Sequence, residues 1–298
     1  MHITPAMLGW KMFAVTGGCK DVKAEPEEAP EKLPVATRYK GPFARYVAIG
    51  DSTTEGLDDP DGQGGYRGWA NRFAELVAAE QGRLLYANLA VRGLRTRAIL
   101  ERQLERALHM KPDLSTLVSG TNDILRPRFN VNAYQRDVEH MQCALIGQGA
   151  TVLTFTLPDL SSINPSARIS KRRVSMMNAA LREVSSSTGA IVVDLAQQVL
   201  AGDKRLWSVD RLHANALGHA RIAAALADAL RLPGSDDSWS LPLEHSPPMS
   251  TREQWADHWY WSRRYLLPWL IRRLQGRSSS EGVKCKRPEL TPIDPIRI

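Results

Sequence analysis

An open, doubly wound α/β sandwich is the fold the sequence predicts, and two observations carry that prediction. Five short runs rich in Val, Ile and Leu lie between residues 46 and 195, with little polar alternation along any of them. A strand that is apolar throughout is covered on both faces, which is the signature of a parallel sheet packed between helices. The stretches between these runs carry their apolar residues at helical spacing, and strands alternating with helices build this architecture.

The first strand is expected over Tyr46–Ile49, ending on Gly50, Asp51 and Ser52. Trp69, Phe73, Leu76 and Val77 then share one face of a helix. The second strand lies within Leu84–Val91, followed by a helix marked by Leu100, Leu104 and Leu108. The third strand is Leu114–Ser119, and Tyr134, Val138, Met141 and Leu145 mark the helix after it. The fourth strand is Val152–Leu157, followed by the helical series Val174, Met177, Leu181 and Val184. The fifth strand is Ile191–Leu195, and a last helix runs from Asn215, its expected cap, to Leu230.

Sheets of this kind hold their sites beyond the carboxyl ends of the strands. Those ends carry GDST (50–53) after the first strand, NLAVRG (88–93) after the second and SGTND (119–123) after the third. Each alone reads equally well as turn chemistry, because turns use the same Gly, Asp, Asn and Ser residues. A fourth segment, SVDRLHAN (208–215), sets Asp210 three residues ahead of His213 just before the last helix. That spacing lets a carboxylate reach the Nδ1 side of the imidazole, although helix-start chemistry accounts for the same residues.

Taken together, the four segments supply a complete inventory for acyl transfer. A serine hydroxyl is a poor nucleophile until a base removes its proton, so Ser52 needs His213, and His213 needs Asp210 to orient it. The backbone N–H groups of Ser52 and Gly93, with the side-chain amide of Asn122, are candidate donors to the oxyanion of a tetrahedral intermediate.

On these residues the middle of the chain, about residues 45–231, resembles the GDSL esterase/lipase family, also called the SGNH hydrolases. Ser52, Gly93, Asn122 and the pair Asp210 and His213 match its four blocks in order. The resemblance implies a flavodoxin-like three-layer α/β/α sandwich with a five-stranded parallel sheet, and ester hydrolysis through a covalent acyl-serine with no metal or organic cofactor. Thr53 stands where the family has its name-giving Leu, which leaves the mechanism intact and sets the chain apart from the best-known branches. No GxSxG elbow occurs, which disfavours the α/β-hydrolase fold. Two other readings stay open: an acyltransferase using the same acyl-serine, and a non-catalytic flavodoxin-like binding module.

Composition sets the remaining bounds. The 298 residues are 43% hydrophobic, enough for a sizeable core, and the net charge of +7 is small against 39 basic and 32 acidic residues, so no nucleic-acid partner is expected. Three zones separate: a Glu/Pro/Lys-rich lead-in over 1–40, the hydrolase-like region 41–231, and a Trp- and Arg-rich extension over 232–298, helical and then extended. Cys19, Cys143 and Cys285 are far apart and read as thiols of a reducing compartment, hence a cytoplasmic location; an exported lipoprotein lipidated on Cys19 is the alternative. The expected substrate is a small-molecule or lipid ester, with Arg95 and Arg126 as candidates for holding an anionic group on it. In the extension, Trp255, Trp259 and Leu266 share a helix face, and Pro268 and Gly276 suit the start and end of a second helix. Such a surface is expected to dock on the enzyme's own body, or else to make peripheral contact with a membrane.

Overall fold

The structure, a computed structural model, describes residues 41–126, 128–245, 249–268, 271, 280 and 282–294. The expected lead-in over 1–40, with Cys19, lies outside them.

Six strands form one sheet in the order β5-β4-β3-β1-β2-β6, where β1 is Arg45–Gly50, β2 Leu85–Asn88, β3 Leu114–Val118, β4 Thr151–Phe155, β5 Ile191–Val193 and β6 Arg287–Pro292. The first five pair in parallel, in the flavodoxin-like order 2-1-3-4-5. β1 lies at the centre, with Tyr46 and Ala48 facing one layer and Val47 and Ile49 the other, all fully buried. That two-sided burial is why β1 carries no charged residue from Tyr46 to Gly50.

One layer contains α2 (Gly68–Gln81) and α8 (Ala216–Leu230), which pack Trp69, Phe73, Val77 and Leu226 on the sheet. The other contains α3 (Thr96–Ile99), a π turn at Leu100–Leu104, α4 (Glu105–His109), α6 (Val131–Gly147) and α7 (Lys171–Thr188). Two further short helices, α1 (Ser52–Glu55) and α5 (Thr121–Ile124), sit directly beyond β1 and β3. The five helices predicted between residues 69 and 230 form, and Asn215 caps α8 by accepting from the N–H groups of Leu217 and Gly218.

The sheet has six strands where five were expected. β6, from the far end of the extension, runs antiparallel along β2. Its sequence, RPELTP, is polar and carries two prolines, so it read as an extended tail. An edge strand tolerates proline because one row of its backbone groups faces away from the ladder. The extension therefore rejoins the sheet: Ile293 is buried in the core, and the Lys286 ammonium donates to the carbonyls of Tyr66 and Arg67 at 2.9 and 2.8 Å.

The helical part of the extension, α9 (Thr251–Trp261), begins with a capping box between Ser250 and Glu253. It passes through a π turn at Ser262–Leu266, and Leu267 and Pro268 are still helical. Pro268 therefore does not open a separate helix; the expected stop at Gly276 lies outside the described residues. Trp255 and Trp259 are exposed while Trp261 is buried, so the docked face is not the one expected from spacing. Among the described residues no helix is long and apolar enough to cross a membrane.

His219, buried in α8, joins that helix to the loop after α1. Its Nδ1 accepts from Trp69 N–H at 3.1 Å, and its Nε2–H donates to the carbonyl of Leu57 at 3.0 Å. Both bonds require the neutral ring, and burial pushes its pKa down from 6.5 to about 4. The folded value lies below the unfolded one, so the unfolded chain binds the extra proton between those two values. Stability should therefore fall by on the order of 1–2 kcal/mol as pH drops from 7 to 5. Urea denaturation at both pH values, compared with His219→Gln, checks this: the variant should be less stable at pH 7 and show a shallower loss.

Candidate active site

The site is built where β1, β2 and β3 end. Gly50 closes β1 in a space that admits no side chain: a Cβ there would lie 2.6 Å from the carbonyl of Val118 and 2.3 Å from Thr54 Oγ1. The buried amide of Gln103, in the π turn, clips this residue in both directions, accepting from Gly50 N–H at 2.8 Å and donating to its carbonyl at 2.9 Å. Asp51 then caps α1 by accepting from Thr53 N–H at 3.0 Å. Ser52 is thereby the first residue of a one-turn helix starting from a fixed strand end.

From the other side, the turn before α8 presents His213. Its Nε2 lies 2.8 Å from Ser52 Oγ, and its Nδ1 lies 2.6 Å from Asp210 Oδ2. A carboxylate can only accept, so Nδ1 carries the proton and Nε2 is free to accept from the serine hydroxyl. The other oxygen of Asp210 accepts the backbone N–H groups of Leu212 and His213 at 2.9 and 3.0 Å, which folds the turn around the carboxylate.

The electrostatics match this geometry. Burial works to raise the Asp210 carboxyl, but the bonds from His213 and the turn N–H groups outweigh it and hold the group below 3.8. Burial likewise works to lower His213, and the bond and charge of Asp210 outweigh it, so the ring titrates above 6.5. Asp51 is different: it is fully buried, and burial outweighs its bonds from Thr53 and the charge of His213 and pushes it up from 3.8 to about 6.

Gly93 and Asn122 complete the edge. Gly93 adopts φ 77°, a left-handed conformation that favours glycine. Among the described residues neither its N–H nor that of Ser52 meets an acceptor. Both hydrogens of the Asn122 amide are engaged, one with the carbonyl of Leu94 at 2.9 Å and one, more loosely, with Asp51 Oδ2 at 3.2 Å. Thr96 adds a third tie, its N–H and hydroxyl both donating to Asp123 at 2.9 Å.

Sequence reasoning missed several residues that hold these turns. Buried Glu55 accepts from the backbone N–H of Arg92 at 2.8 Å and pairs with its guanidinium, tying the segment before Gly93 to the helix of Ser52. Asn88 donates to the carbonyl of Thr54 at 2.9 Å. Asn88 left a signal, as a polar residue inside the apolar run LLYANLAV, whereas Glu55 lies in the polar stretch GDSTTEG, and nothing local names the partner of either.

Beside His213 opens a cavity of about 420 Å³, lined mainly by apolar side chains including Ile124, Leu157, Leu160, Val174, Leu200 and Ile222. Neither Arg95 nor Arg126 is among its lining residues. Arg95 is exposed near Asp123, and the carbonyl of Arg126 accepts from Arg173, which together with Arg221 does line the cavity. Asp58, Asp210 and His213 are the one group among the described residues whose ligand atoms converge closely enough for a metal ion, but the Nδ1 it would use is already bound to Asp210.

Comparison with known proteins identifies the family of this fold. Residues 48–221, more than half of the chain, match the model of the GDSL-like lipase/acylhydrolase family. No curated protein matches the chain. Similar solved structures include an alpha/beta hydrolase enzyme from the metagenome of Lake Arreo, Spain (20% identity, 65% of this chain and 98% of that one, TM-score 0.56). A lipase/acylhydrolase from Enterococcus faecalis (23%, 63% and 95%, TM-score 0.54) and an acetylxylan esterase from Geobacillus stearothermophilus (17%, 67% and 97%, TM-score 0.54) are also similar. At these identities they share the fold.

The Asp210 contact makes a direct prediction for the ring it orients. Followed by NMR, His213 should titrate above 6.5, and Asp210→Asn should move its midpoint downward while leaving His219 unchanged. An unmoved His213 midpoint would contradict the contact.

Proposed function

The chain belongs to the GDSL-like lipase/acylhydrolase family and is a carboxylic ester hydrolase, and we propose that it works through an acyl-serine on Ser52. The observation that carries this reading is the unbroken run from Ser52 Oγ through His213 to Asp210, at 2.8 and 2.6 Å.

In this mechanism His213 Nε2 takes the Ser52 proton as Oγ attacks the ester carbonyl carbon. The imidazolium that forms keeps its Nδ1–H on Asp210, whose charge stabilises it. The carbonyl oxygen, now an oxyanion, accepts from the N–H groups of Ser52 and Gly93. Asn122 joins them by exchanging its loose bond to Asp51 for the oxyanion while keeping its bond to Leu94. His213 then gives its proton to the leaving alcohol, and the ester bond breaks to leave acyl-Ser52. Water enters, His213 Nε2 removes its proton as its oxygen attacks the acyl carbon, and the second tetrahedral intermediate collapses by breaking the bond to Oγ, which takes the proton back from His213 as the acid is released.

The apolar cavity beside His213 supports an ester whose acyl portion is itself apolar, of more than acetyl length. An anionic group on a substrate seated in this cavity would meet Arg173 or Arg221, the two arginines that line it.

Hydrolysis of p-nitrophenyl esters of graded chain length tests the reading. Ser52→Ala should lower kcat by at least about a thousandfold, and undiminished activity would sink the serine mechanism. Asn122→Ala should cost roughly 10²–10³ in kcat. Filling the cavity with Ala167→Phe should shift the preference toward shorter acyl chains, read as the ratio of kcat/KM for octanoate and acetate esters; an unchanged ratio would remove the cavity from the acyl site.

A further inference from the structure

Between Asp210 and His213 stands a residue that catalysis does not use. Arg211 is 2% exposed and adopts φ 58°, a left-handed conformation that is uncommon for a non-glycine residue and here is held by a buried side chain. Part of its surroundings is the body itself, where Asn164 donates to the Arg211 carbonyl and Arg211 Nη1 donates to the Ile163 carbonyl, both at a long 3.4 Å; the closer contacts come from α9, some fifty residues later and beyond residue 221, where the match to the family ends.

The contacts are dense and specific. The Arg211 guanidinium lies over the ring of Trp261, 4.7 Å from its centroid. Its Nη2 donates to Asp257 Oδ2 at 2.6 Å and to the Asp257 carbonyl at 3.2 Å, and its Nη1 donates to His258 Nδ1 at 3.1 Å. Lys204 also pairs with Asp257, so that carboxylate is shared by two cations. The Trp261 indole N–H donates to the carbonyl of Asp210 at 2.9 Å. One side chain of α9 thus holds both the backbone of Asp210 and the side chain of its neighbour.

We propose that α9 is a positioning element for the reaction: Trp261 and Asp257, acting through Arg211, hold the turn in the one conformation that sets Asp210 against His213. This rests on the reading of His213 as the base. An exposed arginine in a free turn would relax toward a right-handed conformation, swinging the Asp210 carbonyl and lengthening the bond to Nδ1. Trp261 is the one buried residue of α9, so the helix is anchored to the body mainly through this contact.

A positioning role differs from a merely structural one in what it moves. His213 is faced by Asp210, Asp58 and Asp51 as well as His219, and among the groups that raise its pKa Asp210 comes first, so loosening that bond lowers the ring toward its ordinary value. In Trp261→Leu, kcat should fall roughly ten- to a hundredfold with KM little changed, and the acid limb of kcat/KM should move to lower pH. Trp261→Phe, which keeps a ring under the guanidinium but loses the N–H, should fall between the two. Arg211→Gly accepts the left-handed turn without the clamp, so adding Trp261→Leu to it should cost less than Trp261→Leu costs in wild type. A Trp261→Leu protein that melts like wild type and keeps both kcat and the acid limb overturns the proposal, as does activity that only follows the folded fraction.

A second readout does not depend on turnover. In a Ser52→Ala background, solvent exchange of the far-downfield His213 Nδ1 proton, followed by NMR, should be faster in Trp261→Leu than in the parent; equal exchange also overturns the proposal. Should Ser52→Ala itself hydrolyse esters, the acyl-serine reading fails while this measurement still decides whether α9 holds the pair.

Discussion

The bond from Ser52 Oγ to His213 Nε2 joins side chains 161 residues apart, and almost every unusual feature of the molecule serves to make it possible. A hydrogen bond of 2.8 Å tolerates little relative movement of its two ends. One end is fixed by the centre of the sheet, where Gly50 has no room for a side chain and Gln103 clips its backbone. The other depends on α8, which His219 ties to the loop leaving the serine helix. The buried polar groups here are costly to bury singly and are acceptable because they are paired with one another.

The two carboxylates nearest this bond show how environment sorts like residues into unlike roles. Asp51 is fully buried and Asp210 half-buried, yet burial works to raise both, and Asp210 is held below 3.8 while Asp51 is pushed up to about 6. The difference is their donors. Asp210 collects two backbone N–H groups and a ring N–H. Asp51 has a backbone N–H and a long bond from a neutral amide, and its place is to cap the serine helix and to park Asn122.

The strands and helices of residues 45–230 were legible because the physics that forms them is local: two-sided burial leaves an apolar run, and an amphipathic helix leaves a 3.6-residue period. The turns carrying Ser52, Gly93, Asn122 and His213 were legible because their residue types are uncommon together and fall at one sheet edge. The partners that hold them were not. Glu55 gives no sign of Arg92 until β1 and β2 are adjacent, and Gln103 reads as a surface glutamine until the π turn rotates it inward. β6 was hidden for a different reason, since an edge strand is stabilised by its neighbour's backbone and RPELTP carries almost no pattern of its own. The tryptophans were visible as a cluster, but spacing ranked Trp255 and Trp259 above Trp261, the residue that is buried.

The sixth strand bears on how such a chain is made. Synthesis runs from the N-terminus, so residues 45–230 are available to fold while Arg287–Pro292 has yet to be joined to the chain. Until then β2 is an outer strand, with its free N–H and C=O groups open to any extended segment nearby, including the same strand of another nascent copy. β6, synthesised after the five parallel strands, covers that edge, and it does so with a strand whose two prolines make it a poor template for the next. The edge through which two copies could pair strand to strand is thereby covered by the chain's own β6.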